Sequence, residues 1–100
     1  MRDKLKEYKG FIEEQSYSLW QGNGAEIEEI GNVIQKLASI VVEISENLSE
    51  QDKVTTLSYI RKALSDYELA CNARDDFLLA DCLYYEWREI AIIYIDYLGV

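Results

Sequence analysis

Carboxylates are the most abundant groups in this chain that could do chemistry. Glutamates stand three residues apart at three places, which are Glu26 with Glu29, Glu43 with Glu46, and Glu86 with Glu89. Helical bundles that hold two metal ions use such glutamates together with histidines in Glu-x-x-His motifs. This sequence contains no histidine. We therefore interpret the acids as a solvated surface and expect no metal, no other cofactor and no catalytic residue.

The missing histidines also exclude the usual means of activating a nucleophile, because Ser-His and Cys-His pairs both need an imidazole. The two cysteines, Cys71 and Cys82, lie at unequal distances on either side of a predicted turn near Ala73. At about 1.5 Å of rise per residue they miss each other by about 9 Å, which is too far for a disulfide. We interpret both as reduced thiols without chemistry.

A third candidate is the stretch Gly22-Asn23-Gly24, which resembles part of a phosphate loop at a helix N-terminus. Glutamates follow at once, at Glu26, Glu28 and Glu29, and they would repel a phosphate. A turn followed by a cap is the better interpretation. We predict that Asn23 caps the next helix and that Glu26 completes a capping box with it.

Composition limits the class of protein further. The chain has 100 residues, 49% of them apolar, which suits one domain with one small core. Nineteen acidic and ten basic residues give a net charge of −9, so we expect neither nucleic acid nor membrane as a partner. Charges interrupt the first twenty residues, and the longest apolar run, 90–95, is far shorter than the roughly 20 residues of a membrane span. These features favour a cytoplasmic protein.

Long helices must position these groups, because the chain has no proline and only five glycines. The first predicted helix runs from near Asp3 to Trp20, the second follows Asn23, and the third starts at Ser49. Apolar residues recur at helical spacing in all three. The three predicted buried faces are Leu5, Tyr8, Ile12, Ser16 and Leu19; Ile27, Ile30, Ile34, Leu37, Val41, Ile44 and Leu48; and Val54, Leu57, Ile60, Leu64, Tyr67 and Cys71.

The pattern changes phase around residues 72–76. The new buried face comprises Phe77, Ala80, Tyr84, Trp87, Ala91, Tyr94 and Leu98. A turn capped by Asp75 or Asp76 would explain the change, and the alternative is one long helix that switches its buried face. Residues 90–95 have strand propensity, but no second strand is available to pair with them. We therefore predict an all-α fold, an antiparallel up-and-down four-helix bundle that forms a single domain over residues 1–100.

The last predicted helix also carries apolar residues on the face that points away from this stripe. An apolar patch rimmed by charge is typical of a binding surface, and tyrosines commonly dominate binding energy. The residues that we predict to bind a partner are Leu78, Cys82, Tyr85, Arg88, Ile92 and Ile93. Arg88 follows Asp81 and Tyr85 at helical spacing, so Asp81 or an acid of the partner could hold it. The alternative is that this helix is central in the bundle and buried on both faces.

The segment from Ala73 to Glu86 resembles a motif of a family of small uncharacterised helical proteins from Firmicutes. The matching residues are Asp76, Leu79, Ala80, Asp81, Leu83, Tyr85 and Glu86, and the pattern departs at Cys82 and Trp87. That family occurs among motility and surface-glycosylation genes and has no assigned activity. The resemblance implies an all-helical fold and a bacterial cytoplasmic setting, and it transfers no catalytic residue.

Three functions remain after these exclusions. The first is a non-enzymatic interaction module, an adaptor or chaperone-like accessory, which binds a protein partner or a second copy of itself. The second is an acidic inhibitor or immunity-like protein that binds a basic enzyme, favoured by the charge of −9 and by the absence of Lys and Arg over residues 11–35. The third is an enzyme whose metal is held by carboxylates alone, which the missing histidines disfavour.

Overall fold

The protein is an antiparallel four-helix bundle in a computed structural model that describes residues 1–99, and these residues contain no strand. The first three helices are α1 (Arg2–Trp20), α2 (Ile27–Ser45) and α3 (Glu50–Ala73). The fourth, which we call the C-terminal helix, is continuous through α4 (Asp76–Cys82), a π-helical turn (Leu83–Trp87) and α5 (Arg88–Leu98). The predicted all-α bundle is confirmed.

The helices form a ring in which each packs against the next and the C-terminal helix closes against α1. Contacts at opposite ends show that the C-terminal helix runs antiparallel to α1, because Arg2 lies beside Ile95 and Trp20 lies beside Asp81. The core between the four helices is almost entirely aliphatic around one tryptophan. Its largest fully buried apolar side chains are Trp87, Leu5, Ile12, Leu19, Ile30, Ile34, Leu37, Leu83, Ile90 and Val41.

The turn between α3 and the C-terminal helix matches the predicted break at residues 72–76. Arg74 ends α3 in the left-handed conformation, with φ of 54°. The Asp75 side chain then accepts a hydrogen bond from the backbone N–H of Leu78 at 3.1 Å, which caps the C-terminal helix. Ser49 caps α3 in the same way through Asp52, as predicted. Two short polar caps therefore decide where these helices begin.

The start of α2 differs from the prediction, because Asn23 does not cap it. The helix begins later, at Ile27, after Gly22 and Gly24 have both turned the chain with positive φ. The backbone N–H of Glu26 donates to Gln15 Oε1 on α1 at 2.9 Å. The side chain of Gln15 on the neighbouring helix thus accepts a hydrogen bond from the start of α2, in place of the predicted capping box.

The π-helical turn changes which residues of the C-terminal helix are buried. The backbone N–H of Arg88 donates to the carbonyl of Leu83, five residues back, so this turn holds one residue more than an α-helical turn. Leu83 and Trp87, at the two ends of this turn, are fully buried, whereas the three residues between them are not.

Three residues of the predicted buried faces are exposed instead. Phe77 lies in the first turn of the C-terminal helix and is exposed, whereas Ala80 is buried as predicted and Leu79 is buried beside it. Ile27 and Val54 lie in the first turns of α2 and α3, near the ends of the bundle, where few neighbours can cover them.

Candidate functional site

An open groove lies between α3 and the C-terminal helix, on the outside of the bundle. It has a volume of about 250 Å³. Its apolar lining comes from Leu69 on α3 and from Leu78, Cys82 and Tyr85 on the C-terminal helix, and its acids are Asp66, Asp81 and Glu86. Three of these apolar side chains are exposed, Leu69 and Tyr85 to 62% each and Leu78 to 45%, and they lie together around one depression. We call this feature the α3 groove.

The α3 groove brings together three of the six residues predicted to bind a partner, Leu78, Cys82 and Tyr85. The prediction that Cys82 lies on an accessible outer face is wrong, because the residue is buried and forms the floor of the groove. Its position follows from the closeness of α3, which covers this side of the helix. Leu78 and Tyr85, by contrast, are exposed at the rim.

The other three predicted residues lie apart from the α3 groove. Ile92 is half-buried and lines a separate depression beside Lys6 and Lys9 of α1. Ile93 is exposed, two turns beyond Tyr85 along the C-terminal helix. Of these two isoleucines, only Ile93 presents most of its side chain to the outside.

Arg88 is not held by Asp81, as one of the predicted alternatives had it. Its guanidinium donates to Glu13 of α1 through Nε at 2.9 Å and to Glu89 through Nη1 at 2.9 Å, and it lies 4.5 Å from the ring centroid of Tyr84. Asp81 instead accepts a hydrogen bond from Trp20 Nε1 at 3.0 Å. Burial of Glu13 opposes its ionisation, but hydrogen bonds from Arg88 and Lys9 outweigh that effect and lower its pKa. Arg88 thus fastens the C-terminal helix to α1.

Four aromatic rings continue the surface from the rim of the α3 groove towards α1. Tyr85 packs edge-on against Tyr84 with the centroids 5.2 Å apart, and Trp20 lies 5.2 Å from Tyr84 and 6.2 Å from Tyr85. Tyr17 completes the cluster, 5.8 Å from Tyr84. Mutual packing holds the rings in place, so Tyr85 is a preorganised exposed aromatic.

The carboxyl groups of Asp66 on α3 and Glu86 on the C-terminal helix lie close together where the two helices meet. Burial raises the pKa of Glu86, and hydrogen bonding with Asp66 raises it further. The pKa of Asp66 is lowered by a hydrogen bond from Lys62, whose Nζ lies 2.8 Å from its Oδ2. The same Nζ is 3.4 Å from Glu86 Oε1. One lysine therefore bridges two acids, and the rim keeps an excess of negative charge.

The two cysteines are free thiols, as predicted. Burial, followed by the nearby Glu86 carboxylate, strongly raises the pKa of Cys82. On α3, burial and a hydrogen bond with Cys71 raise the pKa of Tyr67 to about 12. A thiol with a raised pKa is a poor nucleophile, so Cys82 provides apolar floor rather than chemistry.

The sequence did not point to Leu69, Asp66 or Lys62 as parts of this site. Leu69 is apolar but lies off the buried stripe of α3, and that mismatch is the one signal that could have singled it out. For Asp66 and Lys62 the sequence shows only two charged residues four apart on a helix. Their role depends on Glu86, which is 20 residues or more away in the chain.

Within residues 1–99, no helix is long and apolar enough to cross a membrane. In the same part of the chain, no three His, Cys, Asp or Glu side chains converge as they would around a metal ion. What the α3 groove offers is apolar contact area, an exposed tyrosine and negative charge. These are the means of binding another molecule.

Comparison with known proteins gives no family for the chain. No protein-family model matches it, and neither a curated protein nor a solved structure does. The resemblance of residues 73–86 to a family of Firmicutes proteins therefore stays a prediction.

Proposed function

We propose that this protein is a non-enzymatic interaction module, an adaptor or accessory protein, that binds another protein through the α3 groove. The observation that carries the proposal is the concave set of exposed apolar side chains at Leu69, Leu78 and Tyr85. Leaving them in water forgoes the stabilisation that burial of apolar area provides, about 25 cal/mol per Å². A partner that covers them would recover it.

Two features of the surroundings support the proposal. Tyrosine contributes large contact area at low conformational cost, and Tyr85 is already fixed by its aromatic neighbours. A charged rim around an apolar centre is the usual arrangement of an interface. The free thiols at Cys71 and Cys82 support action in a reducing compartment, such as the bacterial cytoplasm.

The experiment is site-specific photo-crosslinking in cells that produce the protein. A photoreactive phenylalanine replaces Leu78 or Tyr85, and the matched control replaces Val54, which is also 62% exposed but lies in the first turns of α3 away from the groove. We expect one protein to crosslink from both groove positions and not from residue 54. Equal crosslinking from all three positions, or none from the groove, would contradict the proposal.

A second copy of the chain is the other protein that this surface could take. Light scattering over a hundredfold range of concentration, in low and high salt, decides between the two. We expect a monomer, because each copy carries a net charge of −9 and the groove of each has an acidic rim. A dimer that persists at low salt and is lost in Leu78→Asp would identify the partner as a second copy.

An acidic inhibitor of a basic enzyme is a second candidate function. It is favoured by a second acidic surface at the start of α2, with Glu26 at the N-cap and Glu28 and Glu29 in the first turn. No basic residue lies among the side chains that line this surface. Charge reversal at Glu28 and Glu29 should then weaken partner binding more than Leu78→Asp does. The interaction module requires the opposite ranking.

A further inference from the structure

We infer that the occupant of the α3 groove is an amphipathic helix of a partner protein, with bulky apolar residues flanked by Lys or Arg. This inference rests on the proposed function and specifies the partner's chemistry. It combines three properties of the groove: its shape, its charge and the π-helical turn at its rim.

The shape suits a helix that carries one or two large side chains. The walls of the groove come from two antiparallel helices, and the channel between such helices can receive the side-chain ridge of a third. Its volume of about 250 Å³ is at or below the low end of small-molecule sites, which begin at about 300 Å³. Leu69 and Leu78 line it from the two different helices, on either side of the turn at Arg74, so an apolar anchor would contact both.

The charge of the groove selects the residues that flank the anchor. Three carboxylate side chains line it, Asp66, Asp81 and Glu86, and no basic side chain does. Lys62 lies nearby but is already bound to Asp66 and Glu86. A lysine or arginine of the partner would meet Asp81, which forms no ion pair within residues 1–99, beside two acids that share one lysine. The exposed ring of Tyr85 is a further binding surface for a cation.

The same charge argues against a second copy of this chain. Two copies docked groove to groove would bring three carboxylates from each into one interface, and each chain carries −9 overall. Juxtaposed like charges at an interface suppress the wrong partner. A basic segment would instead be attracted from a distance and would lose that attraction as salt increases.

The π-helical turn supplies an independent pointer to this place. It spans Leu83–Trp87 and therefore contains both Tyr85 and Glu86, two of the residues that line the groove. Turns of this kind are rare and occur frequently at functional sites, because the extra residue re-aims the side chains beside it. Here it presents Tyr85 at the rim while Leu83 and Trp87 stay in the core.

The test measures binding of designed 18-residue peptides by isothermal titration calorimetry. The first peptide is an amphipathic helix with Leu at positions i, i+4, i+7 and i+11 and Lys on both flanks. The second carries Glu in place of Lys, and the third carries Ala in place of Leu. We expect the Lys–Leu peptide to bind at least tenfold more tightly than either of the others, and to weaken at least tenfold between 50 and 300 mM salt.

Two pairs of variants locate the binding. Asp66→Asn with Glu86→Gln should weaken the Lys–Leu peptide at least tenfold, whereas Glu28→Gln with Glu29→Gln, which removes the same charge elsewhere, should change it less than twofold. Leu78→Ser should weaken it similarly, and Val54→Ser should not. Circular dichroism confirms that each variant is folded, which the exposed positions of Leu78 and Val54 favour.

The outcomes separate this inference from the proposed function. Equal binding of the Lys and Glu peptides, absence of binding, or equal losses in the control variants would each overturn the basic amphipathic helix. If crosslinking from Leu78 still captures one protein, the interaction module stands and only the chemistry of its partner is wrong. If crosslinking fails as well, both the basic amphipathic helix and the interaction module are wrong.

Discussion

The two long edges of the C-terminal helix are built differently. Along α1 the helix is fastened at three levels, where Arg2 donates to the carbonyl of Ile95, Glu13 binds Arg88, and Trp20 donates to Asp81. Along α3 it is fastened near its C-terminal end, where the hydroxyls of Thr56 and Tyr94 lie 3.1 Å apart, and at Glu86. Beyond Glu86 the second edge opens into the α3 groove. One edge therefore holds the helix in place, and the other leaves apolar surface free for binding.

This contrast indicates where a small bundle can leave apolar surface uncovered. A domain of this size has little stability to spare, so apolar area can stay open only where the elements around it are fixed by other contacts. The α1 edge provides that fixation for the C-terminal helix. If the two edges divide these tasks, changes in the core and at the α1 edge should affect stability, and changes at the α3 groove should affect binding.

The largest effect should come from removing one residue of the C-terminal helix. Deleting Ile92 from α5 rotates every later side chain by about 100° relative to the core, so we expect no cooperative unfolding transition. Deleting Tyr85 removes the extra residue of the π-helical turn and restores an α-helical spacing, so the chain should still fold. Urea unfolding followed by circular dichroism distinguishes the two. Equal damage would mean that the turn does not set the register.

Truncation of the core should cost far more than truncation at the groove. Trp87 is fully buried, and Trp87→Ala should lower the free energy of unfolding by about 3 to 5 kcal/mol. Leu78→Ala at the open edge should change it by about 0.5 kcal/mol or less. Trp87→Phe is a useful control, because within residues 1–99 the indole N–H has no hydrogen-bond partner to lose. Similar losses from Trp87 and Leu78 would show that the groove is part of the core.

The ion pair of Arg88 at the α1 edge should likewise contribute more to the free energy of unfolding than the ion pairs of Lys62 at the α3 edge. Arg88 and Glu13 are both mostly buried at the α1 edge, and Arg88→Met should lower the free energy of unfolding by about 1 to 2 kcal/mol. Lys62 is mostly exposed, so Lys62→Met should have a smaller effect. Chemical denaturation at low and high salt gives both numbers. A larger loss of stability in Lys62→Met than in Arg88→Met would mean that contacts with α3, and not those with α1, hold the C-terminal helix in place.

The smallest effect concerns pH at the open edge. Because the pKa of Glu86 is raised in the fold, the folded chain holds this proton to higher pH than the unfolded carboxyl, whose pKa is near 4.5. Glu86 therefore contributes stability below pH 4.5 that is lost as the pH rises through its raised pKa. Glu86→Gln should flatten the decline in stability above pH 4.5, as measured by urea unfolding over pH 4 to 7.

Asp66 provides the control of opposite sign. Its pKa is lowered in the fold, so its contribution is present above the unfolded value of 3.8 and is lost as the pH falls below that value. Asp66→Asn should therefore change the acid limb of the curve. Because Asp66 also helps to raise the pKa of Glu86, this substitution should reduce the decline above pH 4.5 as well, but less than Glu86→Gln does. An identical effect of both substitutions would mean that the two carboxyls do not titrate separately.

Much of the fold could be predicted from residue types alone, because helix stripes and caps are local signals. The stripe of α2 and the caps at Ser49 and Asp75 depend on residues within a few positions of each other. The π-helical turn could not be predicted, since one extra residue in a turn leaves no mark in residue type.

The site could be predicted only in part, because it is assembled across elements. Leu78 and Tyr85 could be identified because they lie on the face of the helix that points away from its predicted buried stripe. Their neighbours in the groove, Leu69 and Asp66, belong to another helix, and the partner of Arg88 is Glu13, 75 residues away in the chain. Such pairings depend on how the four helices pack, which spacing within one helix does not specify.

The positions of the two tryptophans give the protein an intrinsic optical label on each side of this division. Trp87 is enclosed in the core, so its emission should lie at short wavelength and respond only to unfolding. Trp20 is half-buried, stacks near Tyr85 and donates to Asp81 at the rim of the groove, so its emission should respond to whatever docks there. A single fluorescence spectrum, resolved into its two components, can therefore follow folding and occupancy in the same sample.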